Sequence, residues 1–352
     1  MTAANTKEAT APAKGSREKQ IGAAVLGLFR FWDLQISAFS FLIFLGACTS
    51  RQPDSAALRS QQFSQVQVIG SRGTAPGQFN KPRSVAVDAN DNLYVVDMTA
   101  RVQKFSADGV FITFWQLPQT DLGKPKGMCR DARGNLVVVE PHYSRINHFT
   151  PDGRLVGQWG KYGTNVGQLA MPRAVAVDSG GRMFVSEYGL AERVQCFSGN
   201  GERVLNVIGR PGAADGEFNR AEGLGLDVAG RLYVADSCNH RIQVFSPEGK
   251  WLRSFGGAGT ARGQMSYPYD VRIDAAGYQF VCEFGNSRIQ IFASDGKLVE
   301  ILGEPGSEPG RFSNPWSIAL DSHGNLYVAD AGNHRVQKFV RRKTQGPLNT
   351  EY

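Results

Sequence analysis

The stretch Arg231 to Phe245, RLYVADSCNHRIQVF, constrains the fold more than any other, because it recurs in recognisable form five more times. Leu232, Tyr233 and Val234 in its first half and Ile242 to Phe245 in its second favour β structure, and the polar link from Asp236 to Arg241 is turn-like. That pattern predicts a β-hairpin. The other copies open at Asn92, Asn135, Arg182, Tyr278 and Asn325 and close at Phe105, Phe149, Phe197, Phe292 and Phe339. The acids that end the first strand of each copy, Asp97, Glu140, Glu187, Asp236, Glu283 and Asp330, lie 43, 47, 49, 47 and 47 residues apart. A period in the forties accommodates four strands per repeat.

The fourth repeat divides into EGLGLD, RLYVAD, RIQVF and KWLRSFG, which we call strands a to d. Asp with Gly or Asn in the a–b turns (Asp88 to Asn92, Asp227 to Gly230, Asp321 to Asn325) and Asp-Gly or Glu-Gly in the c–d turns supply the positive φ that tight turns need. The sixth repeat stops at Val340, after its third strand, whereas Phe63 to Gly70 (FSQVQVIG) matches strand d and precedes the first repeat. An N-terminal strand that completes the last sheet closes a ring and removes both edges. The expected fold is therefore all-β, a six-bladed β-propeller over residues 63–340 closed by its N-terminal strand, with 341–352 a disordered tail. The link D-x-x-x-H-R-I-Q-V-F, together with Pro-x-x-Val-Ala-Val-Asp before it, resembles the NHL repeat family of six-bladed β-propellers. That family includes RNA-binding, protein-binding and enzymatic members, so the resemblance implies fold more strongly than function.

Glycine is abundant, 41 of 352 residues, but it recurs at fixed places in each repeat and so reads as turns. The loop G-x-x-G-x-x-x-G, as at Gly209, Gly212 and Gly216, precedes five of the six repeats; with no helix after it, it reads as a turn and not a phosphate cradle. Five cysteines without a CxxC pair, four of them in four different repeats, argue against a disulfide framework or a structural zinc site. No cofactor is indicated, although a calcium ion held on backbone carbonyls in the channel would leave little trace in a sequence. The net charge of +7 is too modest to argue for nucleic acid.

Because the acid that ends strand b and the arginine that opens strand c, as Asp236 and Arg241, recur in all six repeats, they read as a brace across each hairpin. A unique site is sought instead where repeats differ, at the start of strand a, which lies innermost in a propeller. There the chain places Arg83, Lys126 and Arg173 in three consecutive repeats, then Glu222, Tyr269 and Trp316. A basic half and an aromatic half suit an anionic or polyhydroxylated ligand, paired with the cations and stacked on Tyr269 and Trp316. Repeat five also carries Asp270 and Arg272 on one face of strand a, either an acid–base pair for catalysis or a self-satisfied ion pair in the lumen. Glu222, beside Gly223 and Gly225, is a third catalytic candidate. The resemblance also implies what an amidating lyase would need, three histidines at the channel holding zinc; none of His142, His148, His240, His323 or His334 starts a strand a.

These residues point to a binding module for a protein, a peptide or an anionic glycan at the propeller mouth, ahead of a channel-centred lyase or lactone hydrolase. RNA binding ranks last, since basic residues cover half the ring only.

At the N-terminus, Leu34 to Ala47 has the length of a signal-peptide core and is too short to cross a bilayer alone. Leu45-Gly46-Ala47-Cys48 resembles the lipobox of bacterial lipoproteins, which implies cleavage before Cys48 and its lipidation; the alternative is a membrane anchor over Ile21 to Ala47. Either places the propeller outside the cytoplasm, on the cell envelope, beyond a polar tether over 48–62. The expected mature N-terminus is thus Cys48, and intact mass spectrometry of the membrane fraction should show it, whereas residues 1–47 retained on that protein would leave the anchor.

Overall fold

The computed structural model describes residues 58–343, and Cys48 and the segment before it lie outside the described residues. Six four-stranded antiparallel sheets follow one another, each built from consecutive strands a, b, c and d except the last. Blade 1 comprises Pro82–Val87, Leu93–Asp97, Arg101–Phe105 and Phe111–Gln116; blade 4 comprises Ala221–Leu226, Leu232–Asp236, Arg241–Phe245 and Trp251–Gly256. Blade 6 takes its first three strands from Ile318–Leu320, Leu326–Asp330 and Arg335–Arg341, and its fourth from Phe63–Ile69. That closing strand pairs antiparallel from Phe63 against Arg341 to Ile69 against Val336. Strand c therefore runs one residue beyond the sequence-based limit of 340. Gln61 and Gln62, within the expected tether, donate their backbone N–H groups to Glu300, each at 3.1 Å.

The core sits between blades. Side chains alternate across each strand, so one sheet buries a row on both faces. Tyr233, Ala235, Ile242 and Val244 of blade 4 pack against Met265, Val271, Val281 and Phe292 before and within blade 5, and five similar clusters complete the ring. The junction loops close on the same core. In blade 4, Gly209 holds φ +82°, and the Phe218 ring lies where its side chain would be, with an added Cβ only 2.2 Å away. Gly70 with Phe79 and Gly303 with Phe312 repeat the contact, which is why the glycine loops are turns.

All six hairpin braces form. Arg101–Asp97 is the longest at 3.7 Å, while Arg145–Glu140, Arg193–Glu187, Arg241–Asp236, Arg288–Glu283 and Arg335–Asp330 lie between 2.6 and 2.9 Å. Cys129, Cys196, Cys238 and Cys282 are unpaired thiols.

Deleting Phe63–Gly70 removes the partner of Arg335–Arg341 and exposes a sheet edge. The deleted protein should aggregate or lose its single cooperative thermal transition; a melting curve equal to the parent's would show that the ring does not need this closure.

Candidate functional site

Two backbone devices aim side chains into the channel where strand a begins. The first is a bulge: pairing with strand b skips between Pro82 and Ser84, Pro172 and Val175, Ala221 and Leu224, and Pro268 and Asp270. Arg83, Arg173, Glu222 and Tyr269 occupy these breaks, and an extra residue in a strand re-aims its side chain. The second is a left-handed residue just before it, Lys81, Met171, Arg220, Tyr267 or Asn314, with φ between 47 and 67°. Four of these five are held by the preceding blade. The backbone N–H of Lys81 donates to His334 Nδ1 and that of Tyr267 to His240 Nδ1, both at 3.2 Å; Arg220 uses Glu192 (2.6 Å) and Asn314 uses Ser287 (3.1 Å).

The structure brings Arg83, Lys126, Arg173, Glu222, Tyr269 and Trp316 together around one small cavity of about 30 Å³. That space holds a water molecule or two and no more. Glu222, 3% exposed, is the hub. Arg173 grips it through two nitrogens, Nη2 on Oε1 and Nε on Oε2 (3.1 Å), and Arg220 Nε adds a bond of 2.7 Å to Oε1. Burial opposes ionisation of this carboxyl, but Lys126, Arg173 and Arg220 outweigh it and hold its pKa down to about 2.

The two aromatic rings do not stand across an open mouth from the cations; the cations lie on them. Lys126 Nζ sits 3.9 Å from the Trp316 ring centre and 5.2 Å from that of Tyr269, and the Arg83 guanidinium lies 4.5 Å from Trp316. Arg220 approaches Tyr269 at 5.3 Å and also donates to its hydroxyl (3.0 Å). Burial pushes Lys126 down to about 7 against the pull of Glu222, helped by the repulsion of Arg173, Arg83 and Arg220. Burial, then Arg173, also lowers Arg83, to about 10.

Two aromatic partners were missed by the sequence reading. Phe284 stacks on Tyr269 at 4.4 Å and 16°, and Tyr188 carries the Arg173 guanidinium at 4.3 Å. Both follow the acid of strand b, where the other repeats have Met98, Pro141, Ser237 and Ala331; an aromatic residue at that place was the available signal.

A family model for the NHL repeat matches residues 218–245 and 312–339. NHL repeat-containing protein 3 of Mus musculus is 30% identical over 187 residues, which is 48% of this chain and 53% of that protein. The chain carries NHL repeats on a six-bladed propeller. It spans about half the length of that mouse relative, and its match to protein brain tumor of Drosophila melanogaster, 29% identical over 134 residues, covers 38% of this chain and 12% of that protein. Among solved structures, the gluconolactonase of Xanthomonas campestris superposes with a TM-score of 0.58 at 15% identity, over 80% of this chain and 100% of that one. At that identity the likeness is one of fold.

Within this propeller, the acids singled out from the sequence have their oxygens occupied. Asp270 Oδ1 accepts from Arg272 Nη1 (2.6 Å) and its Oδ2 from Ser317 Oγ (2.9 Å) and the backbone of Ile318 (3.0 Å). The geometry is that of an ion pair in the lumen. A carboxylate held near 2 and gripped by two guanidiniums, as Glu222 is, makes a poor general base near neutral pH. Gly223 does not leave space beside it either, because a Cβ there would stand 2.5 Å from the Asp270 backbone. The histidines are accounted for locally: His240 and His334 as acceptors between blades, His148 between Asp131 (3.5 Å) and the Trp159 indole (3.1 Å), His323 beside Asp91 (3.6 Å), and His142 against Gly123.

The folded-state pKa of Glu222 lies below its ordinary value of 4.5, so its pairing stabilises the protein above pH 4.5 and that contribution fades as pH falls toward 2. Glu222→Gln leaves buried Arg173 without its partner and should cost about 3 kcal/mol or more. Urea unfolding should also show a flatter stability profile between pH 4.5 and 2 in the variant; an unchanged midpoint and profile would remove Glu222 from the hub.

Proposed function

We propose that this propeller is a binding module whose strand-a mouth takes carboxylate-bearing segments of an anionic partner, an acidic peptide or an anionic glycan, at the cell envelope where Cys48 anchors it. The observation that carries the reading is a charge imbalance: Arg83, Lys126, Arg173 and Arg220 surround one carboxylate, Glu222, at a mouth too shallow for a small molecule to enter. Confined positive charge with aromatic backing favours anions from solution more than the net charge suggests. Lys81 and Tyr267, exposed on the rim, extend the basic and aromatic character outward. A shallow charged mouth suits side chains presented on a larger molecule, which is why binding is preferred here to turnover of a small substrate.

Arg173 is unsuited to a test because its guanidinium is hydrogen-bonded to Glu222 through two nitrogens. Arg83→Gln with Lys126→Gln leaves that bidentate pair intact, and should weaken binding of a Glu-rich peptide roughly tenfold or more while the variant still unfolds in one cooperative transition. Binding to the parent should fall with added salt. It should also weaken as pH rises through about 7, where Lys126 loses its proton, and the variant should lack this step. Calorimetric titrations with the peptide and with hyaluronan decide the matter; no binding to the parent, or equal binding to the variant, removes the site.

A further inference from the structure

The central channel has a second chamber, at the opposite face, where strands a end. It measures about 270 Å³ and adjoins the cation cluster at Met128, Val175 and Arg272, which border both. Its wall is largely apolar, with Val87, Val177, Leu224, Leu226, Ile273 and Leu320 drawn from five blades, and it also includes the exposed Arg130 of blade 2. Among the described residues, no acidic side chain lines it. The aspartates that follow strand a are tied to their own turns, as Asp88 and Asp227 are to the residues up to Asn92 and Arg231 and to the hydroxyls of Tyr94 and Tyr233.

Arg272 differs from the arginines of the hairpin braces in what its guanidinium leaves over. Arg145, Arg193, Arg241, Arg288 and Arg335 each direct Nε to the brace acid. Arg272 uses Nη1 alone, on Leu224 O, Asp270 Oδ1 and Val271 O. Its Nε and Nη2 meet no acceptor among the described residues, yet neither is a sealed polar atom, and the side chain is 23% exposed. These two donors form one edge of the guanidinium, the fork that a carboxylate fits with two parallel bonds.

We propose that this chamber binds a small free carboxylic acid with an aliphatic chain, its carboxylate on the Nε/Nη2 edge of Arg272 and its chain along the valine and leucine wall. Largely apolar walls with a few placed polar groups orient a ligand in a buried site, and here Arg272 borders the cation cluster while Arg130 is exposed on the wall. The charge balance favours an anion at the chamber's inner end: Arg83, Lys126, Arg173, Arg220 and Arg272 stand there against Glu222 and Asp270. Binding is non-covalent. The nearby Cys129 thiol is pushed up to about 12 by burial, despite Arg272, and stays protonated.

Sodium octanoate is the probe, titrated calorimetrically into the full chain, with 1-octanol and octyl-trimethylammonium as controls. One equivalent should bind, octanol roughly tenfold or more weakly, and the ammonium compound not saturably. Arg272→Lys keeps the charge and loses the fork, and should weaken octanoate by a similar factor while Arg83→Gln with Lys126→Gln leaves it unchanged, so this site and the mouth fail separately. Methyl NMR of the parent reads the position without a variant: shifts should centre on Val87, Val177, Leu224 and Leu226. Absence of saturable binding, equal affinity for octanol, or shifts elsewhere would overturn the proposal.

Discussion

The buried acid of each b–c hairpin organises everything that reaches the channel. In blade 4, Asp236 is wholly buried and accepts from Arg241 Nε (2.8 Å), Gln243 Nε2 (3.1 Å), Asn239 Nδ2 (2.9 Å) and the backbone N–H of Asn219 (2.8 Å). Arg241 and Gln243 in turn donate to the carbonyls of Ala214 and Glu217 in the loop that enters the blade. Replacing such an ion pair by apolar residues need not destabilise a protein, but removing one partner does, by about 3–5 kcal/mol. Its value here lies in geometry, because it ties an otherwise irregular loop to a rigid hairpin. Arg220 and Glu222 follow that loop directly, so the cluster sets where the channel-facing side chains begin.

Fixing the loop in this way also accounts for the left-handed residues at its end. A non-glycine residue at positive φ costs about 1–3 kcal/mol unless its surroundings enforce it. In this ring the enforcement comes from the neighbouring blade, through His334, His240, Glu192 or Ser287 accepting the strained residue's N–H. The same contact that closes one blade on the next thus orients the mouth, and the chemistry differs from blade to blade while the backbone device repeats.

Much of this was legible in the sequence because repetition multiplies a weak local signal. One hairpin pattern is ambiguous; six in register disclose the strands, the acid–arginine braces and the strand displaced to the N-terminus. The inward course of Arg83, Lys126 and Arg173 was legible for the same reason. What those side chains touch was not, since it depends on contacts between blades that share no sequence neighbourhood: Arg173 meets Glu222 49 positions away, and Lys126 reaches Trp316 across the channel. The alternation that put Asp270 and Arg272 on one face did foresee their pairing. It could not foresee that Arg272 would keep one edge uncommitted.

The contrast between the two ends of the channel follows from how few atoms separate them. Glycine at 127 and 223 lets the strands a of adjacent blades approach until an added Cβ would lie 2.5 Å from a neighbouring backbone atom. That approach narrows the channel beside the cation cluster, and long side chains entering from six directions then fill it. Toward the other face most strand-a residues are valine, leucine, isoleucine and alanine, too short to meet across the axis, so a chamber remains. Most of the charge stays at the filled end, where each cation finds an aromatic face or Glu222, whereas Arg130 at the chamber is exposed. Arg272 sits at the one level where both conditions hold, with Asp270 on one side and open apolar space on the other, and that position is why a single guanidinium can serve the lumen ion pair and still face a ligand.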